Sequence, residues 1–353
     1  MLENKKLTIL EVNDLIKRFP TAKSGTFSRS GGYTAAVDGV TFSISDGEIL
    51  GLVGESGCGK TTLGKTILRL YKKDRGTAKF KGEDIFQWSK KELRAKRHQM
   101  QMIFQHPDAA LNPKMKVIDI LTEVVKLHHK ELKGKFAKEK ALQLLDEVKL
   151  HKDKRDSFPH QLSGGEKRRV GIARVLAVEP EFIVADEPVS KLDVSLQGQI
   201  IDLILRLQEA RRLTYLYISH DLQMVKHISN RIAVMYLGKL VEIAPKHIIA
   251  EGKAQHPYTK ALLASAITIG QTKPPELITR ELDTEIDDAC ALCSSTAFTS
   301  RALMNTKHKA PSGCRFHPRC QRYLEMGKPE KCKIDEPQPI WNNDSQMVAC
   351  HYP

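Results

Sequence analysis

Short apolar runs and helical apolar stripes alternate along this chain. Apolar runs predict strands at residues 7–19, 39–45 and 48–53, and the third run ends at a glycine cluster. Beyond that cluster, between residues 63 and 70, leucine and isoleucine recur at helical spacing. The pattern therefore predicts a buried strand, a glycine loop and then a helix.

The middle and the end of the chain differ from this first part. Residues 107–164 are rich in Lys and Glu and are bounded by prolines, which predicts an inserted helical subdomain. Strand–helix alternation resumes through "EFIVADEP" and "TYLYIS" to a hairpin that turns at Gly238, which predicts a mainly parallel sheet with helices on both faces. The pattern thins after about residue 250, and Pro, Thr and Ser are frequent between residues 271 and 312, which predicts a separate C-terminal extension with a loose stretch inside it.

Length and composition bound the class of protein. The 353 residues suffice for about two or three domains. The opening "MLENKKLTIL" lacks the layout of a signal peptide, and no stretch approaches the roughly 18 apolar residues of a membrane-spanning helix, so we expect a cytosolic protein. The net charge of +14 fits an anionic partner such as a nucleotide, a nucleic acid or an acidic membrane face, and equally fits a solvated basic surface.

The glycine cluster carries the first chemical motif. Its sequence "GESGCGKTT" fits G-x-x-x-x-G-K-[ST] between an apolar strand and an amphipathic helix, where backbone N–H groups converge on phosphate oxygens. We expect Lys60 to reach the β- and γ-phosphates and Thr61 to reach Mg²⁺; a glycine turn with a chance lysine is the alternative. The predicted ATP-binding residues of this loop are Gly54, Ser56, Gly57, Cys58, Gly59, Lys60, Thr61 and Thr62.

Cys58 lies inside this loop and has two interpretations. Lys60 and the helix N-terminus would lower the pKa of its thiol, which would make it reactive. Alternatively, it is a small residue that the loop tolerates.

Two carboxylates end the apolar run "FIVADE". A buried strand that delivers acids at its C-terminal edge suits phosphoryl transfer, with Asp186 holding Mg²⁺ through water and Glu187 polarising the attacking water as general base. A strand end with two unrelated acids is the alternative.

The segment "LSGGEKRR" places a serine and two glycines at a helix start, which is either an anion site or an ordinary N-cap. The order of phosphate loop, Ser-Gly-Gly element, paired acids, "SKLD" and "SHD" resembles that of ABC-type ATPase cassettes over roughly residues 7–250. The resemblance implies an α/β fold of the P-loop NTPase class, an ABC-type nucleotide-binding domain that binds ATP and Mg²⁺. Its expected parts are a RecA-like core with an antiparallel β subdomain (1–105 and 165–250), an inserted helical subdomain (106–164) and a C-terminal cysteine-containing extension (251–353).

The resemblance also implies site residues. Gln105 in "IFQHP" is similar to the glutamine that senses Mg²⁺ and the attacking water, and His220 is similar to a histidine that contacts the γ-phosphate. Phe19 is the candidate for stacking on adenine, with Tyr33 as its rival and a core phenylalanine as the alternative.

A further set is expected to act across a dimer interface. The signature residues would contact ATP held by the opposing cassette, and Asp193 would lie in the D-loop. Glu166 where Gln is usual, and Lys191 where a small residue is usual, depart from the family pattern, yet we expect a competent ATPase. The expected signature residues are Ser163, Gly164, Gly165 and Glu166.

Three late segments narrow the resemblance. "HPYTKALLASA", "GCRFHPRC" and "VACHYP" resemble the C-terminal extension of ATP-binding subunits of oligopeptide and dipeptide permeases, with an F-type layout. This implies a D-type ATPase partner, two membrane-spanning permease subunits, an extracytoplasmic substrate-binding protein and a peripheral position on the cytoplasmic face of the membrane, with no nucleic acid. A nickel or metallophore importer subunit is the alternative, and an ABC ATPase of DNA repair or translation is the alternative from another class.

Six of the seven cysteines lie in the last quarter of the chain, which in a reducing cytosol favours metal binding over disulfides. Thiolate sets of four suit a [4Fe–4S] cluster or a structural Zn²⁺, and the resemblance favours iron. Cys290 and Cys293 form a C-x-x-C pair that we interpret as spare thiols, and His317 is either a replacement ligand or a packing residue. The expected ligands are Cys314, Cys320, Cys332 and Cys350.

Overall fold

A computed structural model describes residues 7–20, 32–107, 111–132, 134–267, 310–342 and 346–353. Cys290 and Cys293 lie outside the described residues. The chain forms two compact units, which we call the first unit (1–10, 43–49 and 79–218) and the second unit (11–42, 50–78 and 219–353).

Strands and helices alternate through most of the chain, and two short helices without labels, Gln321–Glu325 and Glu330–Ile334, follow near its end. In chain order the labelled elements are β1 (Thr8–Pro20), β2 (Tyr33–Ser45), β3 (Ile49–Val53), α1 (Lys60–Ile67), β4 (Arg75–Phe80), β5 (Glu83–Asp84), α2 (Lys90–Lys96), β6 (Met100–Ile103), α3 (Val117–His128), α4 (Lys135–Glu147), α5 (Gly164–Leu176), β7 (Phe182–Asp186), α6 (Val194–Arg211), β8 (Thr214–Ser219), α7 (Leu222–Ile228), β9 (Arg231–Tyr236), β10 (Lys239–Pro245), α8 (Lys246–Ala250), α9 (Pro257–Ile267), β11 (Ile340–Asn342) and β12 (Gln346–Val348).

The first unit contains the predicted parallel strands. β6 pairs with β7 and β7 with β8, all parallel, and every residue of β7 is buried. Continuous apolar runs are typical of parallel strands that are covered on both faces. The strand prediction for "EFIVADEP" and "TYLYIS" is therefore confirmed, and it brings Asp186 to the end of β7.

The predicted helical segment of the first unit contains α3 and α4, which pack against each other and against α5. The apolar stripe of α3 explains this packing, because Val117, Leu121 and Val125 recur at helical spacing and are fully buried. The helical interpretation of residues 107–164 is confirmed for α3 and α4, whereas the domain boundaries drawn from the sequence stay a prediction.

In the second unit, β3 pairs in parallel with β9, and β9 and β10 form the expected antiparallel hairpin. The hairpin turns at Gly238, whose φ of +88° lies in the left-handed region that favours glycine.

The C-terminal extension contributes strands to this hairpin. β12 pairs with β10, in register Glu242 with Val348, and β11 pairs with β12. Backbone pairing of this kind covers the edge that β10 would otherwise expose. Among the described residues, no helix is both long and apolar enough to cross a membrane.

Candidate functional site

The phosphate loop lies in the second unit between β3 and α1, as the sequence predicts. Lys60, the first residue of α1, is 5% exposed, and its Nζ donates to the carbonyl oxygens of Gly54 (2.7 Å) and Glu55 (2.8 Å). The ammonium group is therefore held inside the loop by its backbone carbonyls. Thr61 follows on the first turn of α1, and the N–H groups at a helix N-terminus favour an anion.

Two glycines of this loop are required by close backbone contacts. A Cβ at Gly59, where φ is +111°, would lie 1.9 Å from the carbonyl oxygen of Ala36. A Cβ at Gly54 would lie 2.1 Å from the carbonyl oxygen of Met235. Any side chain at either position would displace backbone, so the loop keeps its shape only with glycine there.

The structure favours the interpretation of Cys58 as a small residue that the loop tolerates. Burial raises the pKa of its thiol, and the nearby Lys60 ammonium offsets this only in part. The thiol is 3% exposed, which favours a small packing residue over a reactive thiolate.

Three other expected nucleotide contacts also lie in the second unit. Phe19 is half-buried near the end of β1, where its ring packs edge-on against Tyr71 at 5.5 Å and lies 5.1 Å from the Lys17 ammonium. Tyr33, its rival, is 73% exposed at the start of β2. His220 is exposed directly after β8. The adenine contact stays a prediction for both aromatic residues.

The first unit joins two of the predicted catalytic residues. Gln105 Nε2 donates to Glu187 Oε2 at 2.6 Å, although the residues are 82 positions apart. Glu187 has a φ of +45°, unusual for a residue with a side chain and frequent at functional sites. Asp186 precedes it and is 3% exposed. The structure thus confirms that the strand delivers both acids at its end.

Arg168 is a residue that the motif analysis missed. Its side chain, in a residue that is 3% exposed, donates to the carbonyl oxygens of Phe104 (2.6 Å) and Gln105 (2.8 Å). Because Arg168 belongs to α5, it ties the backbone of Gln105 to the helix that begins at the Ser-Gly-Gly element. The only sequence signal is its place within "LSGGEKRR".

The Ser-Gly-Gly element begins α5 with a capping box. Ser163 Oγ accepts the Glu166 N–H at 3.3 Å, and Glu166 Oε2 accepts the Ser163 N–H at 2.7 Å. This explains why glutamate suits the position where glutamine is usual. Ser163 and Gly164 are exposed and Gly165 is buried. Their role across a dimer stays a prediction.

Asp193 also caps a helix, because its Oδ1 accepts the Leu196 N–H at the start of α6 (2.9 Å). The same loop holds Lys191 exposed with a φ of +63°. The role of Asp193 at a dimer interface stays a prediction.

The four C-terminal cysteines line one cavity of about 20 Å³ in the second unit. Four thiols on one cavity are a donor set that suits iron or zinc, but the space holds an object of about the size of one water. Within the described ranges, no group of three or more His, Cys, Asp or Glu side chains is arranged to hold a metal ion. The expected [4Fe–4S] or Zn²⁺ centre is therefore unsupported by the part of the chain that the structure describes. The cysteines are Cys314, Cys320, Cys332 and Cys350.

Burial changes the electrostatics of these four thiols. Burial raises the pKa of Cys314 to about 11 and also raises the pKa of Cys320, Cys332 and Cys350. The thiols are thus protonated near neutral pH. His317 Nδ1 donates to the Cys314 carbonyl oxygen at 2.9 Å, which favours its packing interpretation.

Two more residues that the motif analysis missed come from the extension. The Tyr258 hydroxyl accepts the N–H of Glu55 in the phosphate loop at 3.0 Å. Arg319, between two of the cysteines in "GCRFHPRC", binds the Glu55 carboxylate. The sequence pointed to both segments but not to these contacts.

Comparison with family models assigns two parts of the chain. Residues 37–190 match the model "ABC transporter". Residues 241–294 match "Oligopeptide/dipeptide transporter, C-terminal region".

Individual relatives cover nearly all of the chain. The oligopeptide transport ATP-binding protein AppF of Bacillus subtilis is 44% identical over 98% of this chain and 97% of its own. OppF of the same organism, with the same description, is 48% identical over 73% of this chain and 82% of its own. Among solved structures, the dimeric post-hydrolysis state of the ATP-binding cassette MJ0796 bound to ADP and Pi superposes with a TM-score of 0.59 at 26% identity, over 67% of this chain and 98% of that one.

Proposed function

Because the chain belongs to the family of ATP-binding subunits of oligopeptide and dipeptide ABC transporters, we propose that it binds and hydrolyses ATP to energise the import of di- or oligopeptides. The observation that carries the ATPase activity is the 2.6 Å hydrogen bond between Gln105 and Glu187, which orients a carboxylate at the end of a parallel strand. The relatives named for peptide transport support the substrate class, and they do not favour a nickel or metallophore importer.

The phosphate loop binds the triphosphate in this proposal. Lys60 moves its ammonium from two backbone carbonyls to the β- and γ-phosphates, and the N-terminus of α1 adds N–H donors. Phe19 stacks on adenine. Mg²⁺ neutralises phosphate charge when it is bound; the Thr61 hydroxyl and the Asp186 carboxylate are oxygen donors of the kind it prefers, and Gln105 senses it.

Hydrolysis is the task of the acid pair. Glu187 accepts a proton from the attacking water, Gln105 holds the carboxylate in place, and His220 contacts the γ-phosphate. The signature residues and Asp193 serve the nucleotide of a second cassette, a D-type subunit, so that catalysis needs a dimer. Two permease subunits and an extracytoplasmic binding protein complete the assembly, with this chain peripheral on the cytoplasmic face of the membrane.

For the four cysteines we propose that their thiolates would hold a [4Fe–4S] cluster or, as the alternative, a structural Zn²⁺, either of which would stabilise this part of the chain. Their convergence on one cavity supports this proposal. Elemental analysis of an anaerobic preparation tests it. Iron with acid-labile sulfide supports a cluster, and zinc without iron supports the Zn²⁺ alternative. The absence of both metals overturns the proposal.

Reconstitution tests the transport function. The chain is co-expressed with two permease subunits and a second ATPase subunit from its own organism, and the complex is placed in vesicles with a substrate-binding protein. We expect ATP-dependent accumulation of a labelled peptide and no accumulation of Ni²⁺. Uptake of Ni²⁺ and not of peptide would show that the substrate is a metal ion. Co-purification with nucleic acid instead of membrane subunits would overturn the transport function.

A further inference from the structure

Glu55, the second residue of the phosphate loop, is held at three points. The Tyr258 hydroxyl accepts its N–H at 3.0 Å, and Lys60 Nζ donates to its carbonyl oxygen at 2.8 Å. Arg319 binds its carboxylate with two nitrogens, Nη1 to Oε2 and Nη2 to Oε1, each at 3.0 Å. Two of these three supports come from the C-terminal extension.

These supports respond differently to nucleotide. When Lys60 turns to the phosphates, it leaves the carbonyl oxygens of Gly54 and Glu55 that it contacts here. Tyr258 and Arg319 bind other atoms of Glu55, so their hydrogen bonds survive this movement. The extension therefore holds the start of the loop in the state in which ATP is bound.

Tyr258 is itself fixed in place. It is 1% exposed, and its ring packs 4.6 Å from the ring of Tyr236 and 5.3 Å from that of Phe316. The guanidinium of Arg319 lies 5.9 Å from the Tyr236 ring. Rigid aromatic packing lets a hydroxyl act as a fixed acceptor.

A second arginine of "GCRFHPRC" supports the other side of the loop. Arg315 donates to the carbonyl oxygen of Leu237 and to the carboxylate of Asp38. The neighbouring Gly238 donates its N–H to the carbonyl oxygen of Cys58 in the phosphate loop at 2.8 Å. The extension thus reaches the loop by two routes.

Charge gives Arg319 a second effect on the loop. The Glu55 carboxylate is an anion in a loop that must receive a triphosphate, and it would repel the phosphates if it stood alone. The bidentate pairing with Arg319 neutralises it.

We propose that Tyr258 and Arg319 are positioning residues through which the C-terminal extension sets the affinity of the phosphate loop for ATP. The inference rests on the proposed function, because it assumes that the loop binds ATP. It adds a task for the "HPYT" and "GCRFHPRC" segments that is independent of any metal on the cysteines.

The first test removes one hydroxyl. Tyr258→Phe keeps the aromatic packing but deletes the acceptor of the Glu55 N–H, and we expect the Kd of the full chain for Mg·ATP to rise about fivefold. In the assembled transporter the KM for ATP should rise while kcat at saturating ATP stays within about twofold. Tyr215→Phe is the matched control, because Tyr215 is fully buried and its hydroxyl has no hydrogen-bond partner among the described residues. Its Kd should not change.

The second test separates charge from structure. Arg319→Gln should raise the Kd about threefold, since the ion pair is partly exposed. Glu55→Gln combined with Arg319→Gln should restore most of the affinity, because the uncompensated anion is gone. A purely structural role would instead leave the double variant as weak as Arg319→Gln. Arg319→Lys, which keeps the charge, should lie between Arg319→Gln and the wild type.

The outcomes distinguish this inference from the function it rests on. A wild-type chain that binds no ATP would overturn the proposed function. Wild-type binding with an unchanged Kd in Tyr258→Phe and Arg319→Gln would overturn only the inference. A rise in Kd with rescue by the double variant supports both.

Discussion

The carboxylate site of the first unit and the phosphate loop of the second unit are stabilised in different ways. Glu187 is held by Gln105, a residue of another nucleotide motif, and the Gln105 backbone is held by Arg168 from the signature helix. Glu55 of the phosphate loop is held by Tyr258 and Arg319, which lie 203 and 264 positions later in the chain. The first site is supported from within the motifs, and the second from the extension.

This difference shows which of the two sites depends on residues far along the chain. The hydrogen bonds of the carboxylate site join residues of the nucleotide motifs to one another, so this site depends little on the rest of the chain. A loop held by distant residues can be modified by changes far along the chain, and one of those residues, Tyr258, lies within residues 241–294, which match the oligopeptide/dipeptide transporter C-terminal region.

The largest effect should come from removing the anchor of the extension. Glu242 in β10 is fully buried, and its carboxylate accepts from the backbone N–H groups of Gln255 and His256 and from Gln346 Nε2, at 2.8 to 3.0 Å. Glu242→Ala leaves these donors unpaired, so we expect the free energy of unfolding to fall by about 3 kcal/mol. Chemical denaturation of the full chain measures it.

The control for this change is Glu251→Ala, since Glu251 forms an exposed ion pair with Lys253 and its removal should leave the free energy of unfolding nearly unchanged. Equal losses in the two variants would contradict a buried anchor and would weaken the contrast between the two sites.

A smaller, pH-dependent effect should come from His256. Burial lowers its pKa to about 3, against about 6.5 in an unfolded chain. Between about pH 3 and pH 6.5, the unfolded state binds a proton on His256 that the folded state does not bind. The contribution of neutral His256 to the free energy of unfolding is therefore fully present above about pH 6.5 and is lost as the pH falls towards 3. From pH 6.5 to pH 5 the loss should be about 2 kcal/mol.

Comparison with His256→Asn isolates this contribution. The variant should be less stable at neutral pH, but its free energy of unfolding should fall less steeply between pH 6.5 and pH 5 than that of the wild type. Identical slopes would show that His256 does not carry the pH dependence of the second unit.

Much of the fold and of the chemistry could be predicted from the sequence because it depends on local patterns. Apolar runs predicted β7 and β8, and a contiguous motif predicted the loop that holds Lys60. The pKa of Cys58 could not be predicted, since the burial of its thiol depends on packing by distant residues.

The supports of the loop were missed for the same reason. Tyr258 and Arg319 lie in segments that carry the resemblance, but the chemical signal of the segment around Arg319 is its cysteines. No local period or spacing indicates a hydrogen bond across more than two hundred residues. The metal centre expected on those cysteines is unsupported, because no group of three or more His, Cys, Asp or Glu side chains among the described residues is arranged to hold a metal ion.

The most direct test of the account is the rate of ATP hydrolysis by the assembled transporter with Glu187→Gln in this chain and an equivalent change in its partner ATPase. Gln keeps the shape of the side chain and an oxygen that accepts from Gln105, but it cannot take a proton from water. We predict that ATP still binds while hydrolysis falls at least about 100-fold. Hydrolysis at the wild-type rate would contradict the assignment of Glu187 as the general base.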